Sequence, residues 1–284
     1  MKRRILLPTD FSVNATQAIN YAIELYKDEA CIFYLLNVFF IDSNNIESLM
    51  NMEPGNGFYE VSKAESLENL DKVMNELIFS EKGNLKHSFQ TISMCNHPLE
   101  AIKTVVEDKD IELIVMGTRG ETNSRSKIYG SNALNVMEKI RNCPVIVVPQ
   151  LAKIVLPKEI VFPTSYKTPF KGSSLKYLTD IAKSCQASIK VLHIMVENEL
   201  SAKQLSKKEQ LENYFDDVNH SFHFLKNISV PVAINCFIES RESDMVAFIN
   251  KKHSFFSSII NQPLVKGIAY DSRVPILVMH DLST

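Results

Sequence analysis

Apolar and polar positions follow two rhythms along this chain. "RILL" (Arg4–Leu7), "ACIFYLLNVF" (Ala30–Phe39), "SFQTISM" (Ser88–Met94), "IELIVM" (Ile111–Met116) and "VIVV" (Val145–Val148) are short, largely apolar runs of strand length. Between them the apolar period lengthens to that of a helix. A helix is predicted over about 14–27, with Ala15, Ala18, Ile19, Ala22, Ile23 and Tyr26 on one stripe. Others are predicted over about 60–79, over Pro98–Glu107 with proline in the first turn, and over Asn132–Ile140. Strands alternating with helices predict an α/β fold whose parallel sheet is covered on both faces.

The pattern then repeats. "RILLPTDFSVNATQAINYA" from Arg4 and "EIVFPTSYKTPFKGSSLKYL" from Glu159 both read as strand, Pro-Thr turn and amphipathic helix. "CPVIVVPQ" (Cys143–Gln150) and "VPILVMHD" (Val274–Asp281) close the two halves. A tandem duplication follows, with domains at 1–150 and 157–284 and the join near Leu151–Pro157. In the second half Ile189–Met195 reads as a strand and Ala202–Lys226 as one long helix. Val232–Ile238 and Met245–Ile249 read as the third and fourth strands, with only "ESRESD" between them. A parallel crossover needs about a dozen residues. Either the fourth element is not a parallel strand, the crossover helix is deleted, or residues are missing.

Composition narrows the classes. The 284 residues are 45% hydrophobic and 23% charged, which suits two globular domains. A net charge of −2 without a long basic run argues against a nucleic-acid-coating protein. Five scattered cysteines, none in a CxxC, suggest a reducing compartment. The absence of a long apolar stretch or a signal-like start points to a cytoplasmic protein with no membrane partner.

Candidate chemistry gathers in "GTRGETNSRSKIYGSNA" (Gly117–Ala133), between a predicted strand and a helix. Ligands of parallel sheets bind beyond the carboxyl ends of the strands, and helix N-termini attract anions. Gly117 and Gly120 leave room for a phosphate. Arg119, Arg125 and Lys127 make the loop basic, and Gly130, Ser131 and Asn132 open the helix. A plain surface loop with turn glycines and a serine cap fits the same spacing. The loop is neither a Walker A loop nor a dinucleotide G-x-G-x-x-G motif. Asp10, just past the first strand, could accept ribose hydroxyls or simply favour a helix N-terminus. His220 and His223 could share a helix face, yet no Cys/His cluster accompanies them. Ser12 and Ser131 lack a nucleophile context. Lys251, Lys252 and His253 read as a solvated basic spot. Phe39–Phe40 and Phe255–Phe256 read as core or interface.

Gly117-x2-Gly120-x9-Gly130-Ser131 and Pro8-Thr9-Asp10 together resemble the nucleotide-binding branch of the universal stress proteins. The resemblance covers Met1–Gln150 with specific motifs and the rest more loosely. It implies two tandem doubly wound five-stranded sheets of order 3-2-1-4-5, packed as an intrachain pseudo-dimer through Val145–Val148 and Ile276–Met279. It implies ATP, or an AMP or ADP remnant, with Mg²⁺ at the phosphates, Asp10 on the ribose and the backbone of Val38 on the adenine. The candidate site is then Pro8, Thr9, Asp10, Val38, Met116, Gly117, Arg119, Gly120, Gly130, Ser131 and Asn132, with no protein metal ligand and no catalytic residue. Hydrolysis would be slow at most, since no obvious general base or water-positioning residue stands in the loop. A homo-oligomer is left open. In the second half Ser165 stands for Asp10, and Asn250 and His253 fall where the first two glycines would repeat. That half is expected to be a degenerate partner without a nucleotide. The rival expectations are an interaction module whose loop holds nothing, and an adenylating enzyme, for which neither S-G-G-x-D-S nor H-I-G-H is present.

Overall fold

The computed structural model describes residues 2–39, 54–55, 57–80, 84–118, 131–167, 170–195, 199–250 and 273–280, with only the backbone of Ser131. By its contacts the chain divides into Met1–Val136 and Met137–Thr284.

The first unit is built from β1 (Arg3–Pro8), α1 (Val13–Leu25), β2 (Cys31–Phe39), α2 (Gly57–Ser80), β3 (His87–Cys95), α3 (Pro98–Asp108) and β4 (Leu113–Gly117). Helix α4 (Ser131–Lys139) straddles the division. The strands pair in parallel in the order β3-β2-β1-β4. Ile5–Leu7, Phe33, Leu35, Leu36 and Leu113–Val115 are buried, as strands covered on both faces must be. Helix α1 buries Ala15, Ala18, Ile19, Ala22 and Ile23, and the Ser12 hydroxyl caps its start by accepting the Ala15 N–H. Helix α3 opens on Pro98 and buries Ala101, Ile102, Val105 and Val106.

The second unit contains β5 (Val145–Val148), β6 (Glu159–Pro163), α5 (Gly172–Ser184), β7 (Ser188–Met195), α6 (Ala202–Tyr214), β8 (His220–Lys226), α7 (Val230–Arg241), β9 (Met245–Asn250) and β10 (Ile276–His280). Its order is β5-β10-β9-β6-β7-β8, so β6 to β10 form a 3-2-1-4-5 sheet of their own. β5 stands at the end of this order. It runs antiparallel to β10, with Val147 opposite Ile276 and Val145 opposite Val278.

Two expected elements are corrected here. The predicted helix 202–226 ends at Tyr214, and 220–226 is strand β8. The predicted strand 232–238 lies inside helix α7. "HSFHFLK" alternates with the period of a strand, after the turn formers Asp216, Asp217 and Asn219. In α7, Pro231 sits in the first turn, and Ala233, Ile234, Phe237 and Ile238 are buried at helical spacing. The apparent missing crossover therefore exists, because α7 joins β8 to β9. "ESRESD" only closes that helix, with Glu242 in the left-handed region at φ 53°. His220 and His223 sit three apart on a strand and so face opposite ways. His223 bonds the Ser221 hydroxyl at 2.9 Å, and His220 bonds the Val218 carbonyl.

Candidate functional site

β2, β1 and β4 are neighbours and parallel, so their carboxyl ends meet at one edge of the first sheet. β1 leaves that edge through a tight, internally bonded turn. The Thr9 N–H donates to the Leu36 carbonyl at 2.8 Å, and the Thr9 carbonyl accepts the Asn37 amide at 2.8 Å. The Thr9 hydroxyl accepts the Phe11 N–H at 3.0 Å. Phe11 takes φ 63°, a conformation few side chains adopt. The Asp10 carboxylate is exposed and accepts the Ser12 N–H at 3.2 Å. Three residues thus turn the chain from β1 into α1 and present Asp10 at the edge.

Four other candidate residues reach the same edge. Pro8 ends β1 opposite Leu36, and Val38 is half-buried near the end of β2. Met116 is buried and Gly117 ends β4. Asn132 is exposed in the first turn of α4. Arg119, Gly120, Gly130 and the loop cations Arg125 and Lys127 lie outside the described residues, as do Lys251–His253, Phe40, Phe255 and Phe256.

Sequence reading passed over Asn14, Asn37 and Thr118. All three are polar and buried at this edge. The Thr118 hydroxyl donates to Asn14 Oδ1 at 3.1 Å. A Cβ at Gly117 would stand 2.8 Å from Asn14 Cγ and 3.0 Å from its backbone oxygen. Glycine is needed there because the first turn of α1 already fills the space. The available signals were an asparagine beside the apolar stripe of α1 and another inside the apolar run of β2.

The second unit repeats the turn residue for residue. The Thr164 N–H donates to the Leu192 carbonyl at 2.9 Å, and its hydroxyl accepts the Tyr166 N–H at 3.2 Å. Tyr166 takes φ 55°. The Thr164 carbonyl contacts His193 Nδ1 at 2.7 Å, and Ser165 accepts the Lys167 N–H at 3.4 Å. Burial lowers the pKa of His193, and because Nδ1 faces the Thr164 carbonyl, that nitrogen is the donor. Its ring lies 4.9 Å from that of Tyr166.

Register corrects the expected correspondence at β9. Ile5 pairs with Leu113, and Ile160 with Met245. Ile249 therefore occupies the place of Gly117, and Asn250 that of Thr118. The Asn250 amide donates to the Met137 carbonyl at 2.9 Å. His253, expected at the second glycine, lies outside the described residues.

Among the described residues no group of three His, Cys, Asp or Glu side chains could hold a metal, and no helix is long and apolar enough to cross a membrane. Burial, reinforced by Glu29, pushes the Cys31 thiol up to about 12, so it stays protonated.

A parallel sheet wrapped by helices, with its turns gathered at the carboxyl edge, defines a doubly wound α/β protein. The chain belongs to the universal stress protein family, whose model matches residues 1–149. Universal stress protein MJ0577 of Methanocaldococcus jannaschii is 28% identical over 165 residues, covering 52% of this chain and 95% of that protein. MJ0531 of the same organism is 31% identical over 150 residues, covering 51% and 81%. The crystal structure of a universal stress protein from Archaeoglobus fulgidus DSM 4304 matches the fold across 97% of both chains, with a TM-score of 0.67 at 17% identity.

Proposed function

We propose that the first half of the chain binds one adenine nucleotide, ATP or an AMP or ADP remnant, and that the bound state serves a stress response in the cytoplasm. The observation that carries this reading is the exposed Asp10 carboxylate, held in a bonded turn beside the end of β4. The full glycine pattern of the nucleotide-binding branch follows directly on that strand. Asp10 would take the ribose hydroxyls and the Val38 backbone the base. The glycines, with Ser131 and Asn132 at the start of α4, would cradle the phosphates. With no metal cluster among the described residues, a Mg²⁺ would be held mainly by phosphate oxygens and water. Hydrolysis would be slow. The two halves would act as a pseudo-dimer within one chain, the second without a nucleotide.

A module of the same fold that holds nothing is favoured by one observation. Asp10 and Gly117 each have a structural partner already, the Ser12 N–H and Asn14. Mass spectrometry of the purified chain after mild denaturation separates the readings. Released adenine nucleotide, with calorimetric saturation by ATP at about one equivalent, is expected. No released nucleotide and no heat on titration would favour the empty module.

A further inference from the structure

The nucleotide reading draws on two pieces of chain about a hundred residues apart, the Asp10 turn and the loop leaving β4. One buried hydrogen bond spans them. Asn14 lies two residues beyond Ser12, whose N–H holds the Asp10 carboxylate. Its side chain accepts the Thr118 hydroxyl, and its side chain and backbone oxygen fill the space left open by Gly117. Both residues are more than nine-tenths buried, so this bond has little competition from water. We propose that Asn14 and Thr118 form a brace that sets the spacing between Asp10 and the start of the phosphate loop, acting as positioning residues for the nucleotide. The proposal rests on the nucleotide reading of the same edge.

The second unit supplies the contrast. Its residue at the place of Thr118 is Asn250, whose amide donates to the Met137 carbonyl. Its residue at the place of Gly117 is Ile249, a half-buried side chain where the first unit has a glycine. The turn is kept there, with the tie of Asn250 made to a carbonyl of α4.

The test is ATP titration of the full chain carrying Thr118→Val, Thr118→Ser or Asn250→Ala, with thermal unfolding of each variant measured without nucleotide. Thr118→Val keeps the shape and removes the donor, and Thr118→Ser keeps the donor. Thr118→Val should raise the ATP dissociation constant about three- to tenfold, the scale of one hydrogen bond. Thr118→Ser should stay within about twofold of wild type, and Asn250→Ala should not change the constant. Wild-type affinity in Thr118→Val, with or without a lower unfolding temperature, would make the bond purely structural and overturn the brace. Equal losses in the valine and serine variants would overturn it too. A wild-type chain that takes up no ATP would instead overturn the reading beneath it.

Discussion

At the end of β1, Thr9 is held by the Leu36 carbonyl and the Asn37 amide; at the end of β6, Thr164 is held by the Leu192 carbonyl and the His193 ring. Even the next strands start alike. The Arg4 N–H donates to the Glu112 carboxylate, and the Glu159 N–H donates to that of Asp244. The backbone device has been kept twice while the groups around it diverged. One edge carries an exposed carboxylate, a glycine and a threonine. The other carries a serine, an isoleucine and an asparagine, with Tyr166 buried against His193. A doubled fold can thus preserve a turn for its own stability in a half whose side chains at that edge have changed.

The largest expected effect tests that asymmetry at Gly130. On the proposed nucleotide reading, Gly130→Val should abolish ATP binding by the whole chain, because the motif asks for a residue without a side chain at that position. Replacing Gln262 by valine should leave affinity unchanged. Saturation at two equivalents, or binding retained by a folded Gly130→Val variant, would return a site to the second half. Asp10→Ala should follow, with affinity weakened about ten- to hundredfold, the worth of hydrogen bonds to a charged group. Calorimetry with unchanged affinity would remove Asp10 from the site.

A third test concerns the closing strands, where His280 stands at the position of Pro149. Both ring nitrogens of His280 are buried and lack a hydrogen-bond partner among the described residues. Burial, then the charge of Arg141, lowers its pKa from 6.5 to about 4. The unfolded chain gains this proton below about 6.5 and the native one only below about 4, so stability is full above 6.5 and falls between those values. At about 1.4 kcal/mol per pH unit, roughly 2 kcal/mol is lost by pH 5. Urea unfolding at pH 7 and pH 5 should report this loss, and His280→Leu should remove most of it. An equal pH dependence in both proteins would place the acid sensitivity elsewhere. The smallest effect is expected for His193→Asn. Asparagine there mimics Asn37 and keeps a donor for the Thr164 carbonyl, so it should cost about 1 kcal/mol. Leucine orphans that carbonyl and should cost about 1–3 kcal/mol. Equal unfolding midpoints for the two variants would deny the hydrogen bond its role.

The first half was readable almost throughout, because its strands are apolar runs bounded by polar turns and its helices carry clear stripes. β8 and α7 were exchanged for a local reason. "VPVAINCFI" is rich in β-branched residues, and only the burial of Ala233, Ile234, Phe237 and Ile238 on one side reveals the helix. At the edge, Asp10 and the glycines could be read as a motif. Asn14 and Thr118 could not, since their contact joins positions 104 residues apart and neither residue type announces a partner. The reason for Gly117 was hidden with them.

The antiparallel pairing of β5 with β10 sets an order of events on the ribosome. β5 leaves the tunnel well over a hundred residues before its partner. At typical synthesis rates this edge waits roughly ten seconds. During that interval its four apolar residues present open backbone groups. The nascent chain therefore carries an open strand edge until its own last strand emerges to cover it.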